Sequence, residues 1–245
     1  MYYLSVGAIF KNECIILQEW IEHYLFHGVE HFFLIDDSST DNFQCILEPY
    51  IKKGIVTLFQ HNEPWTYYLG RQKDMYNHFI FPQLHKTKWL AILDIDEYLW
   101  SPISIDLREP LKQCEHLGQL QIKTIYFGSN GYIEQPNNIV ASFTKRSSSS
   151  YDKGMKYIIH TSFSFQELTI HYALFTNKED AQQHCIILGE PYFRINHYCC
   201  QSLEYWNTIK CTRGDGDNYR IRTPDDFFLV DINEIEDLEL SLQNK

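Results

Sequence analysis

Three carboxylates fall within four positions, Asp94, Asp96 and Glu97, directly after the apolar run Trp89-Leu90-Ala91-Ile92-Leu93. An unbroken apolar run of strand length suits a central strand covered on both faces, because a half-exposed strand alternates with polar residues. In extended geometry Asp94 and Asp96 point to one side and Ile95 to the other. The carboxyl end of a buried strand is also where open α/β sheets bind their ligands. No lysine or arginine adjoins the three acids, so the spacing predicts a counter-charge from outside, for which a hard divalent cation, Mn2+ or Mg2+, is suited. The competing reading is an acidic turn that caps the next element.

Three further positions carry candidate chemistry. Asp36 opens the acidic, hydroxyl-rich stretch Asp36-Asp37-Ser38-Ser39-Thr40-Asp41, which reads as the N-cap of a following helix or as a mouth of the sheet that accepts hydrogen bonds from a ribose or base. Arg71 stands at the start of a helix, where a cation and a helix N-terminus together suit a phosphate, the alternative being a solvated surface residue. His197 sits at the polar end of the strand Tyr192 to Tyr198, either as hydrogen-bonded structure or as an imidazole metal ligand.

The elements that must position these groups follow from periodicity. Tyr3 to Phe10 reads as strand one, an amphipathic helix follows with Ile15, Ile16, Trp20, Ile21, Tyr24 and Leu25 on one face, and Gly28 caps it. His31 to Ile35 and Ile55 to Phe59 read as strands around a helix over Phe43 to Ile51, giving a β-α-β-α-β series and a parallel sheet. A helix from Arg71 toward His85, made irregular by Pro82, leads to the acidic strand. Beyond it a short helix between Asp106 and His116 and a strand from Gln119 to Phe127 are expected. The alternation then fails, and Ile139 to Thr144, Lys156 to Ser162 and Leu168 to Phe175 read as β-like pieces of a mixed second half. The predicted class is α/β, one domain over 1–245: a nucleotide-binding half over about 1–100, an acceptor-side half over about 101–220, and an acidic tail with no assigned chemistry.

Composition narrows the function. At 245 residues with 44% hydrophobic content, the chain builds a real core. A net charge of −11 argues against nucleic-acid or anionic-membrane partners, which require a basic footprint. Seven cysteines without a Cys-x-x-Cys spacing read as reduced thiols of an intracellular protein. The apolar start, without a basic flank, reads as a first core strand rather than a signal peptide or membrane anchor, so a cytoplasmic location is expected.

Taken in order, the motifs resemble the glycosyltransferases of family 92 and their relatives of the GT-A fold. The matching pieces are Lys11-Asn12-Glu13, Glu19-Trp20-Ile21, Gly28-Val29-Glu30, Asp36 to Asp41 and Asp94-Ile95-Asp96-Glu97-Tyr98. They continue with Phe127-Gly128-Ser129-Asn130-Gly131, Lys156, His171, Asn196-His197-Tyr198 with Ser202, and Arg213-Gly214. The plan is similar to the compact soluble members of microbes and large viruses. The resemblance implies transfer of a sugar, hexosyl or deoxyhexosyl, from a nucleotide diphosphate, UDP by preference, to a glycan or other hydroxyl acceptor with inversion. It implies that Asp96 binds the metal with help from Asp94, and that His197 closes the site. Asp36 would contact the nucleoside, the backbone around Lys11 and Asn12 would line the base pocket, and Lys156 or Arg71 would reach the diphosphate.

Inversion needs a base for the acceptor proton. Asp215 and Asp217, in the glycine-hinged stretch Arg213-Gly214-Asp215-Gly216-Asp217, are the candidates, a solvated turn being the other reading. A sugar nucleotidylyltransferase would open with a glycine-rich loop where Lys11-Asn12-Glu13 stands. A haloacid-dehalogenase phosphatase would carry its nucleophile on the first strand. The remaining alternative is a non-catalytic glycan-binding or scaffold protein on the same fold.

Overall fold

Strand and helix alternate through the first hundred residues as their periodicity predicts. In the computed structural model, which describes residues 1–61, 70–148, 154–213 and 221–244, β1 (Tyr2–Phe10), β2 (His31–Asp36) and β3 (Val56–Gln60) are joined by α1 (Cys14–Phe26) and α2 (Phe43–Lys52). β4 (Thr87–Ile92) returns on the other side of β1, giving a parallel set in the order β3-β2-β1-β4. Strand order reverses at β1, the kind of switch point at whose strand carboxyl ends open α/β sheets hold a ligand crevice. Gly28, at φ +87°, turns the chain out of α1, and a Cβ there would strike the Asp106 carboxylate.

The expected helix from Arg71 toward His85 is divided into α3 (Arg71–Met75), a π-helical turn (Tyr76–Ile80) and a 3-10 segment (Phe81–Lys86). Pro82, which has no amide donor, lies in the tightened last piece.

The second half is mixed, also as expected. It contains β5 (Glu97–Trp100), α4 (Arg108–Lys112), β6 (Gln119–Tyr126), α5 (Ile139–Ser142), β7 (Lys145–Arg146), β8 (Met155–His160), β9 (Phe165–Leu168) and β10 (Ala173–Phe175). It continues with α6 (Lys178–His184), β11 (Cys185–Leu188), β12 (Arg194–His197), α7 (Leu203–Thr208), α8 (Phe227–Val230), β13 (Ile235–Glu236) and α9 (Glu239–Gln243). β8 lies antiparallel between β4 and β6, and the sheet continues through β12 to β5, with β11 also on β6. One sheet therefore runs through both halves. Along β4, Trp89 and Ala91 enter one core cluster and Leu90 and Ile92 the other, as a strand covered on both faces requires.

Two β-like readings are corrected. Ile139 to Ser142 is helical because its first amides are satisfied: Ile139 and Val140 donate to the Glu19 carboxylate at 2.6 and 3.0 Å, and Ala141 donates to the Asn138 side chain at 2.7 Å. Leu168 to Phe175 is not one strand, since β9 and β10 pair antiparallel around a turn. Among the described residues, no helix is long and apolar enough to cross a membrane.

The acidic tail is a structural clasp. β13 pairs with β7, Ser129 N donates to Asp231 at 2.6 Å, and Asn130 N donates to Asn233 at 2.7 Å. Gly128 lies so close to Asn233 and the Ile232 carbonyl that any Cβ would collide with them. Beneath this, the Asp237 carboxylate, 3% exposed, receives Arg146 at 2.7 Å and Arg194 at 2.6 Å. Removing one member of such a buried set strands the others' charge. Asp237→Ala should therefore cost roughly 3 kcal/mol or more of unfolding free energy in urea titration; a loss below about 1 kcal/mol would mean the tail does not clasp the fold.

Candidate active site

The acids do not extend β4. After Ile92 the chain turns, with Glu97 N donating to the Asp94 carbonyl at 3.1 Å, and β5 starts at Glu97. Asp94 and Asp96 are thus presented by a turn, not by the extended geometry expected from the sequence. Helix α1 fixes that turn from below. Trp20 Nε1 donates to the carbonyls of Asp94 (3.1 Å) and Glu97 (3.0 Å), while Tyr24 Oη donates to the Glu97 carbonyl and accepts from Leu99 N, both at 2.8 Å.

The side chains meet cations from remote segments. Lys156, inside β8, lies 2.8 Å from Asp94 Oδ2 and 3.6 Å from Glu97 Oε2. Lys210, in the 3-10 segment Lys210–Thr212 after α7, lies 2.5 Å from Asp96 Oδ2. Pairing of β12 with β5 sets His197 opposite Glu97. Its Nε2 is 3.4 Å from Asp96 Oδ1 and its Nδ1 is 3.7 Å from Glu97 Oε1. The counter-charge that no sequence neighbour offered is present here as two ammonium groups and an imidazole. Asp94 is the most open of the acids, its side chain 35% exposed, with Gln72 Nε2 donating to its Oδ1 at 3.2 Å.

Burial and charge work against each other in this cluster. Burial would raise the pKa of Asp96, but Lys210 and His197 outweigh it and hold the carboxyl well below its usual range. Asp94 is likewise lowered by Lys156 against the cost of burial. Glu97 goes the other way: burial, aided by Asp94, pushes it up to about 7 despite Lys156. Burial would depress His197, yet Asp96 and Glu97 raise it to about 9.

The rim is a set of braced loops at the ends of β1 and β2. Asn12 and Ser38 both hold positive φ, at 55° and 58°. Asn12 N donates to Ser39 Oγ at 3.0 Å and Thr40 N donates to Asn12 Oδ1 at 2.7 Å. Asp36, buried at the end of β2, accepts Ser39 N at 2.8 Å, and burial raises its pKa. Asp41 does not cap α2. It accepts from Cys14 N at 2.8 Å, at the start of α1. Burial lowers the Lys11 pKa, and the Lys11 carbonyl accepts from Arg213 Nη1 at 2.7 Å while Arg213 Nη2 donates to Glu13 at 2.6 Å.

The structure therefore brings Asp94, Asp96, Lys156 and His197 into one cluster, with Lys11, Asn12 and Asp36 on the neighbouring loops. Arg71 is neither surface-exposed nor part of the cluster; its guanidinium is buried against Asp37, near His61. Lys156 is 2% exposed and held between two carboxylates. Asp215 and Asp217 lie outside the described residues. Sequence reasoning missed Lys210 and the Glu13–Arg213 pair. Lys210 lies 114 positions from its partner and has no motif to mark it; Glu13 and Arg213 were visible as pieces of matching motifs, but not as a pair.

Comparison with known proteins follows the same outline. The description of glycosyltransferase family 92 matches residues 2–212. A family 92 protein of Oryza sativa subsp. japonica is 22% identical over 213 residues, covering 84% of this chain and 34% of the relative. The galactan beta-1,4-galactosyltransferase GALS3 of Arabidopsis thaliana is 25% identical over 118 residues, covering 46% of this chain and 23% of that protein. The chain thus spans about a third or less of these relatives. Among solved structures, S. aureus TarS 1-349 in complex with UDP aligns at a TM-score of 0.48 and 17% identity, over 79% of this chain and 60% of that one.

The two upward shifts set a pH dependence. A folded-state pKa above the unfolded value contributes stability that is complete below the unfolded pKa and is lost as pH rises through the folded one. For Glu97 that loss runs from 4.5 to about 7, and for His197 from 6.5 to about 9. The ligand-free protein should lose on the order of 2 kcal/mol of stability between pH 6.5 and 9, and His197→Gln should flatten the alkaline part. Equal urea midpoints for the parent chain at pH 6.5 and 9 would refute the charge assignment.

Proposed function

The chain belongs to glycosyltransferase family 92, and from that premise we propose that it transfers a sugar from a UDP-sugar to a hydroxyl of a glycan acceptor, with inversion, using Mn2+ or Mg2+. The observation that carries this reading is the convergence of Asp96 and His197, carboxylate and imidazole 3.4 Å apart, at the mouth of the crevice where strand order reverses. That donor pair fits a divalent cation of the Mn2+ type, which takes oxygen and imidazole ligands and accepts its remaining ligands from phosphates and water. Among the described residues no group of three or more His, Cys, Asp or Glu side chains is arranged to hold a metal, so the fit is to a two-residue site completed by the donor diphosphate. When bound, the cation supplies Lewis-acid stabilisation of the leaving diphosphate.

The chain's own residues do the rest. Asp96 and His197 hold the cation, and Asp94, partly open to solvent, assists through bound water or the ribose. Lys156 keeps Asp94 and Glu97 ionically matched, so that the turn holds its shape when the donor enters. Asp36 and the Lys11-Asn12 backbone frame the nucleoside, their loops locked in advance by the Asn12, Ser39 and Thr40 hydrogen bonds, which lowers the ordering cost of binding. Asp215 or Asp217, two and four positions beyond the anchored Arg213, takes the acceptor proton. The galactosyl activity named for GALS3 makes UDP-galactose the first donor to try.

The test is a thermal-shift panel of UDP-, GDP- and dTDP-sugars with and without Mn2+. A donor at about 100 times its Kd stabilises by about 2.7 kcal/mol, a melting shift of roughly 5 to 10 °C for a chain this size. We expect that shift for a UDP-sugar with Mn2+ and its loss in Asp96→Asn. No shift with any nucleotide, in folded protein, would refute the reading.

A further inference from the structure

Asp96 has both oxygens turned to cationic side chains, Oδ1 facing His197 at 3.4 Å and Oδ2 facing Lys210 at 2.5 Å. The two lysines of the cluster are not equivalent. Lys156 projects from an interior strand between two carboxylates and has partners on either side. Lys210 has one carboxylate partner among the described residues and sits in a single 3-10 turn after α7. Its ammonium is 5.8 Å from the centre of the Tyr205 ring, a face that favours a cation beside the ion pair. The same turn ends at Arg213, which is fastened to the Lys11 carbonyl and to Glu13, so Lys210 is tethered to the loop that borders the crevice.

An ammonium cannot keep its place on Asp96 once that carboxylate ligates a divalent cation, because like charges would then share one buried oxygen pair. Asp94 and Glu97 already face Lys156 and cannot take it. Resting on the metal-dependent reading above, we propose that Lys210 is an ion-pair switch: it occupies Asp96 in the ligand-free protein and transfers to the donor diphosphate when metal and nucleotide bind. Lys210 is then both a competitor for the metal and a binding residue for the leaving group. Metal and nucleotide binding become mutually favourable, since each makes room for or receives the charge that the other displaces.

Isothermal titration calorimetry of the whole chain separates the two roles, using Mn2+ alone, UDP alone, and UDP with saturating Mn2+. Lys210→Met should bind Mn2+ alone about tenfold more tightly than the parent chain and UDP with Mn2+ about tenfold more weakly. Lys210→Arg, which keeps the charge, should retain UDP affinity within about threefold. A lysine that only supports the fold would weaken both ligands together, and that result, or unchanged UDP affinity in Lys210→Met, overturns the proposal. Because Lys210→Met strands the Asp96 charge and could unfold the chain, the parent chain carries its own test. Mn2+ and UDP should each raise the other's affinity about tenfold, and independent binding overturns the switch together with the diphosphate-completed metal site, while nucleotide binding itself stands. Failure of the parent chain to bind either ligand overturns the metal-dependent reading itself, and the switch with it.

Discussion

Burying three carboxylates within four residues is tolerable only if matching charge is buried with them. An isolated carboxylate in a protein interior costs several kcal/mol, and an ion pair repays that cost only when its geometry is good and its other polar atoms are satisfied. Lys156, Lys210 and His197 supply that charge to Asp94, Asp96 and Glu97. Each cation arrives on a different element: β8, the turn after α7, and β12. Much of the second half of the sheet can be understood from this one constraint. β8 must run antiparallel beside β4 to deliver Lys156, and β12 must pair with β5 to deliver His197. The cluster also explains why Trp20 and Tyr24 hydrogen-bond to backbone carbonyls of the turn, since carboxylates held this tightly need a backbone that does not drift.

The fold was largely legible because its first half is written in local patterns. Alternating strand and helix periodicities, Gly28 after α1 and the two-faced apolar run of β4 each depend on residues close in sequence. The errors come from partners remote in sequence. Ile139 and Val140 are β-branched and read as strand, but the Glu19 carboxylate that satisfies their amides comes from a distant helix. The acids of the tail carried no assigned chemistry, yet Asp237 is buried between two arginines supplied by β7 and β12.

The candidate site was legible as a set of acids and only half legible as an electrostatic system. Asp94 and Asp96 stood out because acids directly after a buried apolar strand are unusual, and His197 entered the site through the family resemblance. Lys210 did not stand out, because a lysine carries no signal of what it will face, and Lys156 was named as a diphosphate contact without its carboxylate partners. An external cation was inferred from the absence of local charge; the charge that tertiary structure brings, on Lys156 and Lys210, comes from segments remote in sequence. The same limit applies to Arg71, whose position at a helix start suggested phosphate and gave no sign of the Asp37 carboxylate against which its guanidinium is buried.

The bracing of the crevice rim has a consequence for descent. Asn12, Ser39, Thr40, Asp41, Cys14, Glu13 and Arg213 form a circuit in which every loop is held by another. Substitution at one node removes a partner from the next, so the effect of any replacement depends on which residues already stand around it. Neutral drift in this region is constrained to travel in groups, and lineages that reshape the rim should carry correlated replacements from three segments remote in sequence. Epistasis of that kind favours inheriting the frame whole and diversifying the loops outside it.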